Sequence, residues 1–157
     1  MIRPACFTDI MAILKLGHRY IEEEVKAVKH HSGVWDAGSC AHHLVQAQQS
    51  SDSFLWVAIK EREVVGFLWG AAHAMAPWNP TLVASDVVFY ITPECRGTLL
   101  GRSLLKEYKR WALARGCSEV RLSIGSGINE ERVGQMYEHL GFHRFGTVYN
   151  LFAKEQT

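Results

Sequence analysis

Three hydrophobic runs of strand composition follow one another between residues 54 and 91, and the connections between them are too short to hold a helix. Residues 54–59 (FLWVAI) lead through the charged residues 61–63 to residues 64–72 (VVGFLWGAA). A loop with two prolines, residues 77–80, then leads to residues 82–91 (LVASDVVFYI), the strongest strand signal in the chain. Runs rich in Val, Ile, Phe, Tyr and Trp between turn residues read as strands. Parallel neighbours need a crossover of a dozen or more residues, so these three runs form an antiparallel meander.

Around the meander the hydrophobic period changes. Residues 2–5 (IRPA) read as a short first strand. Residues 7–24 carry Ile10, Ile13, Leu14, Leu16, Tyr20 and Ile21 at helical spacing, with Thr8 or Asp9 as a cap. Residues 29–39 read as a glycine-punctuated loop and residues 41–49 as a second helix. Beyond the meander, Leu100, Leu104, Tyr108, Trp111 and Ala112 form a helical stripe that Gly116 ends. Residues 120–124 (VRLSI) alternate as a strand, residues 129–140 read as a helix stopped by Gly141, and residues 142–152 read as a last strand. The order β-α-α-β-β-β-α-β-α-β predicts an α+β (mixed α/β) fold with helices on the faces of a sheet.

At 157 residues the chain has the length of a single domain, here 1–157, large enough for its own core. A formal net charge of +1 gives no field that would attract nucleic acid or an anionic membrane. No apolar run reaches the ~20 residues of a membrane span. The first residues carry an acid and no signal-peptide core, so the expected location is cytoplasmic. The cysteines Cys6, Cys40, Cys95 and Cys117 show no CxxC spacing and read as free thiols.

The junction after the third strand of the meander is PECRGTLLGRSLL, residues 93–105. Two glycines and two arginines fall between a strand and a helix start. The first N–H groups of a helix lack internal partners, and the helix dipole favours negative charge there. Gly97 and Gly101 permit close approach to the backbone, and Arg96 and Arg102 add charge suited to phosphate. A pyrophosphate fits that description, as does a plain turn with solvated arginines. There is no GK[ST] and no GxGxxG, so neither a P-loop nor the dinucleotide fingerprint is present.

The run Arg96-Gly97-Thr98-Leu99-Leu100-Gly101, followed by Asn129, Tyr137 and Leu140-Gly141-Phe142, resembles the GCN5-related N-acetyltransferases, and the opening IRPACFTDI resembles their first strand and helix. The resemblance spans nearly the whole chain in the right order. It implies a mostly antiparallel mixed sheet of six to seven strands with about four helices. Its implied activity is transfer of an acetyl group from acetyl-CoA, a cosubstrate, to a primary amine on a small molecule or a protein, with no metal. The alternative is a CoA-binding or interaction module of the same fold with little or no turnover. Carried over by position, the N–H groups of Gly97, Thr98, Leu99, Leu100, Gly101 and Arg102 hold the pyrophosphate, with Arg96 and Asn129 also at the cofactor. The backbone of Phe89, Tyr90 and Ile91 pairs with the pantetheine arm as an added strand does. The chain departs from the family pattern in three places. Leu99 stands where a glycine is usual, Asn129 is one residue further from Tyr137 than expected, and no glutamate occupies the base position.

An alkyl amine, of pKa ~10.4, must lose a proton before it attacks, and the leaving thiolate must gain one. The resemblance makes Tyr137 the general acid. Asp86 and His73 are the candidate bases, and Glu22, Glu23 and Glu24 end the first helix close to where acceptors bind in this family. Trp35 and Trp78 lie in loops that flank the acceptor side, whereas Trp56 and Trp69 read as core. His30, His31, Cys40, His42 and His43 cluster in sequence, but adjacent helical histidines point about 100° apart and no ligand spacing frames a zinc site. The expected partners are acetyl-CoA and an amine acceptor, without nucleic acid or membrane, with a homodimer expected from the family.

Overall fold

The structure, a computed structural model, describes residues 1–25, 34–124, 129–149 and 151. Their single sheet of five strands runs β1 (Ile2–Pro4), β2 (Ser53–Lys60), β3 (Glu63–Ala76), β4 (Asn79–Ile91) and β5 (Glu119–Arg121). Neighbours are antiparallel except β4 and β5, which are parallel. The four α-helices of the described residues are α1 (Ile10–Tyr20), α2 (Ala37–Gln49), α3 (Leu99–Ala114) and α4 (Glu130–His139). None of these helices is long and apolar enough to cross a membrane.

Local chemistry explains the boundaries. The β2–β3 turn places Glu61 and Arg62 in left-handed backbone, φ 51° and 69°. Positive φ at both central residues matches the right-handed twist of a hairpin, even where neither residue is glycine. Before α1, the Asp9 carboxylate accepts from the Cys6 N–H at 2.8 Å and grips Arg3 with both oxygens at 2.6 and 2.9 Å. Arg3 above all holds the Asp9 carboxyl down at about 2. Helix α1 runs on into a π-helical turn, Ile21–Val25, which carries Glu22, Glu23 and Glu24. Helix α2 starts earlier than its apolar pattern suggests because Asp36 caps it, accepting from Ser39 N–H at 2.8 Å.

Alternation along the strands divides the core between the two faces of the sheet. Phe54, Leu68, Ala84, Leu104, Leu105 and Tyr108 pack with α3 on one face. Ile13, Leu44, Leu55, Val57, Phe67 and Tyr90 pack with α1 and α2 on the other.

The α+β class and the meander are as expected, but the sheet of the described residues has five strands rather than six to seven. Residues 142–149 form no strand. Gly146 turns that segment into left-handed backbone at φ 76°, and Phe145, Val148 and Tyr149 point into solvent. Residue 150 and residues 152–157 lie outside the described residues. Strand β5 is also shorter than the expected 120–124, and this shortening opens the fork described next.

Candidate functional site

Val83, Ala84 and Ser85 pair with Glu119, Val120 and Arg121, and there the β4–β5 ladder ends. Strand β4 continues to Ile91 while staying paired to β3. Its other edge, from Asp86 onward, therefore faces a gap instead of a strand. At the crotch a side chain replaces the ladder. Asp86 accepts from Ser123 N–H at 3.0 Å and from the Ser123 hydroxyl at 3.3 Å. Tyr137, on α4, donates its hydroxyl to the carbonyl of the same Ser123 at 3.3 Å. The fork thus brings Asp86 and Tyr137 to opposite sides of one residue. Burial raises the Asp86 carboxyl above its ordinary value, against the opposing effect of the Ser123 hydrogen bonds. Burial, with the Asp86 charge adding to it, also pushes the Tyr137 phenol well up.

On the β3 side of this stretch the register slips. Trp69 pairs with Val88 and Gly70 with Asp86, leaving Val87 as the extra residue of a bulge. A bulge re-aims side chains and backbone groups at a site edge. Phe89 and Ile91 face α3, where a Cβ on Gly101 would lie 3.3 Å from the Phe89 ring. Tyr90 faces α1 and donates to Glu23 at 2.8 Å.

The turn after β4 aims α3 at the gap. Gly97 takes φ 80°, a conformation an L side chain rarely adopts. The Thr98 hydroxyl caps the helix by accepting from Leu100 N–H at 3.4 Å, and itself donates to the Cys95 carbonyl at 2.7 Å. Leu99 needs no positive φ, because it is the first helical residue, and its side chain is 74% exposed. The glycine-dependent conformation falls at Gly97 instead. The first-turn amides of Leu99, Leu100 and Gly101 have no helical carbonyl to bond, so the turn has the backbone shape and polarity to accept an anion.

The two arginines of the turn differ. Arg102 is exposed on α3. Arg96 reaches toward α1, where its Nε donates to the Ile91 carbonyl at 2.9 Å and its Nη2 pairs with Glu24 at 2.7 Å. Its guanidinium also lies 5.6 Å from the centre of the Tyr90 ring. Nearby, Arg19 pairs with Glu23 and with Glu94, the latter at 2.7 Å. The π-helical turn of α1 is thereby laced to the β4–α3 turn. Asn129 takes left-handed backbone, φ 52°, at the start of α4, and its side chain makes no capping bond.

His73 is not at the fork. It lies further along β3, its Nδ1 2.8 Å from the Ala74 carbonyl and its Nε2 2.9 Å from the Ser85 hydroxyl. The carbonyl can only accept, so Nδ1 carries a proton, and Nε2 shares a hydrogen bond with the Ser85 hydroxyl. Trp78 is 86% exposed at the far tip of the β3–β4 hairpin. Trp35 stacks on His18 beside a small apolar cavity of about 80 Å³ lined by Gly17, Tyr20, Trp35, Phe67, Trp69 and Val88. A more open groove of about 290 Å³ runs between α2 and β3, bordered by His43, Gln46, Ser50, Trp69, Ala71 and Val87. Trp69 borders both, a position that its strand setting disguises as core in the sequence. His42 and His43 are exposed on α2, and His30 and His31 lie outside the described residues. Among the described residues no His, Cys, Asp and Glu side chains gather in a group able to hold a metal.

The chain is therefore an α+β protein whose sheet forks between β4 and β5 beside a bulged strand and a glycine turn that starts a helix. Residues 51–144 match the model of the acetyltransferase (GNAT) domain, and the chain belongs to that family. Solved structures agree at the level of fold. An aminoglycoside antibiotic 6'-N-acetyltransferase, AAC(6')-IG from Acinetobacter haemolyticus, is similar with a TM-score of 0.71 and 16% identity over 98% of each chain. AAC(6')-Iy in complex with the bisubstrate analog CoA-S-monomethyl-acetylneamine gives 0.73 and 15%, over 98% of this chain and 97% of that one. A transcriptional regulator from Bacillus halodurans gives 0.71 and 18%, over 98% and 99%. No curated protein sequence matches the chain significantly.

Proposed function

We propose that the protein is an acetyl-CoA-dependent N-acetyltransferase that moves an acetyl group to a primary amine by direct attack within a ternary complex. The observation that carries this reading is the fork. Among the described residues no strand pairs with β4 on its gap-facing edge beyond Ser85; the Ile91 carbonyl is taken by Arg96, and the edge runs toward a helix start with Gly97 and Gly101. An extended pantetheine arm is the right shape to pair with Phe89, Tyr90 and Ile91, and its pyrophosphate then reaches the amides of residues 97–102.

The step is a substitution at the thioester carbon. The amine nitrogen forms the new C–N bond, the C–S bond breaks, the amine's surplus protons leave and the sulfur gains one. Asp86 takes the amine proton, its basicity raised by burial. Tyr137 faces the departing sulfur. Its raised pKa keeps the phenol protonated, so it supplies a hydrogen bond and a proton to the thiolate. His73, whose Nε2 is held against the Ser85 hydroxyl and whose Nδ1 is held against the Ala74 carbonyl, is the weaker candidate base. The acceptor approaches over the face that holds Trp69 and the two cavities. The exposed side chains of Phe145, Val148, Tyr149 and Leu151 support a second copy of the chain as a partner.

One observation favours a second reading, a CoA-binding module without turnover: Ser123 engages both carboxylate oxygens of Asp86 and the Tyr137 hydroxyl. Release of free thiol from acetyl-CoA, measured against a panel of alkyl amines, aminoglycosides and lysine peptides, separates the two. Amine-dependent release is expected. Tight CoA binding with no release from any amine leaves the module, and absence of CoA binding removes both.

A further inference from the structure

The cation best placed to meet the cofactor's pyrophosphate is not in the turn at all. Arg96 is committed to Glu24 and to the Ile91 carbonyl, and both contacts draw it toward α1. Arg102 points outward from α3. Arg132, in the first turn of α4, crosses from the other arm of the fork. Its Nη2 lies 3.4 Å from the point where a Cβ on Gly97 would sit. Arg132 makes no hydrogen bond or ion pair among the described residues, although Glu130 and Glu131 precede it on the same helix. Glu130 has a cation of its own, the Arg144 guanidinium at 3.8 Å. Among the described residues this guanidinium has no polar partner, and it stands over the glycine of the turn that takes left-handed backbone.

We propose that Arg132 is the phosphate-binding arginine of this protein, gripping the pyrophosphate from the α4 side while the α3 amides hold it from the β4 side. The inference rests on the reading of the fork as a CoA site. Guanidinium is suited to the task because its planar fork of donors matches two phosphate oxygens at once. Gly97 serves it twice, by adopting φ 80° and by leaving the space that the Arg132 head approaches. The arrangement also gives CoA a mechanical consequence: bound phosphate bridges α3 and α4 across the gap, which no residue pair of the turn does.

The test is calorimetric titration of wild type, Arg132→Ala, Arg132→Lys and Arg96→Ala with CoA and with dephospho-CoA, which keeps the pyrophosphate and lacks the ribose phosphate. Loss of a charge-assisted contact at Arg132→Ala should weaken both ligands by roughly tenfold to a hundredfold. Arg132→Lys should recover part of that loss, and Arg96→Ala should cost less than Arg132→Ala. Hydrogen exchange should show the first turn of α4 protected by CoA in wild type and not in Arg132→Ala. Wild-type affinity in Arg132→Ala overturns the proposal, as does a loss seen with CoA and absent with dephospho-CoA. If the folded wild type binds neither ligand, the CoA reading itself falls, and this inference with it.

Discussion

Asp86 occupies a desolvated space near Tyr108 and Tyr137, and its carboxylate takes the place of a missing rung between β4 and Ser123. Burial raises its folded-state pKa above the unfolded value of roughly 3.9. The sign of the stability effect follows. The protonated acid is favoured in the folded chain, so this group's contribution is fully present below the unfolded pKa and is lost as pH rises through the higher folded one. In the proposed role of base its pH dependence runs the other way, because only an ionised carboxylate accepts a proton. Asp86→Asn keeps an oxygen for the Ser123 N–H and removes both pH dependences. Melting temperature measured from about pH 4 to about pH 7 should fall less for Asp86→Asn than for wild type. Turnover should drop by roughly 10²–10⁴-fold, the ordinary contribution of a general base, and the acidic limb of the rate profile should vanish. Unchanged turnover would return Asp86 to a purely structural role at the fork.

Gly70 on strand β3 and Gly134 on helix α4 have surroundings that dictate opposite outcomes for alanine. A Cβ on Gly70 would meet Tyr108 Cε2 at 2.5 Å and the Ser85 carbonyl at 3.2 Å. Tyr108 is fully buried and its hydroxyl donates to the Arg121 carbonyl at 3.4 Å, so the ring cannot move without disturbing β5. Gly134 lies mid-helix with nothing within 4 Å. Gly70→Ala should therefore destabilise by about 1–3 kcal/mol through overpacking. Gly134→Ala should stabilise by roughly 0.5–1 kcal/mol through helix propensity. Urea denaturation of the two variants checks both signs, and a neutral Gly70→Ala would show that Tyr108 has room the structure does not display. The contrast also shows what the sequence made legible. Composition and short connections revealed the meander, because antiparallel pairing is a local rule. The turn at Gly97 was legible because strand, glycine and helix signals adjoin. The fork leaves no local pattern of its own and is implied only by the family resemblance, since it depends on β5 stopping at Arg121 while β4 runs on to Ile91. Arg132 escaped notice for the same reason: its nearness to Gly97 is created by the β4–α3–β5–α4 path and leaves no local pattern. The first helix was legible in its apolar stripe, but not in its π-helical end, which brings Glu23 to Tyr90 and Glu24 to Arg96.

At the scale of the molecule, the two core clusters lie on opposite faces of one sheet, and the β4–α3 turn is where their edges meet. On the α1 side that turn is tied down by Tyr90–Glu23, Arg19–Glu94 and Arg96–Glu24. On the α4 side, among the described residues, Asp86 reaches across the gap to Ser123, and Lys109 of α3 donates to the Leu140 carbonyl at the end of α4 at 3.0 Å. A ligand seated in the gap adds contacts to the weakly joined side, so binding should stiffen the arm that carries β5 and α4 more than the meander. A ligand that binds only the folded chain stabilises it by mass action, by about 2.7 kcal/mol at a concentration one hundred times its Kd. For a chain of this size that corresponds to a rise in melting temperature of roughly 5–10 °C. CoA should produce that rise in the wild type. It should produce almost none in Gly101→Glu, where the new side chain starts 3.3 Å from the Phe89 ring and places a carboxylate in the first turn of α3. The unliganded variant reports its own stability, so a loss of fold is separated from a loss of binding. A CoA-induced rise that survives Gly101→Glu would place the ligand elsewhere than the fork. A rise lost in the variant, with hydrogen-exchange protection concentrated in α4, would join the turn, the gap and the far arm into one site.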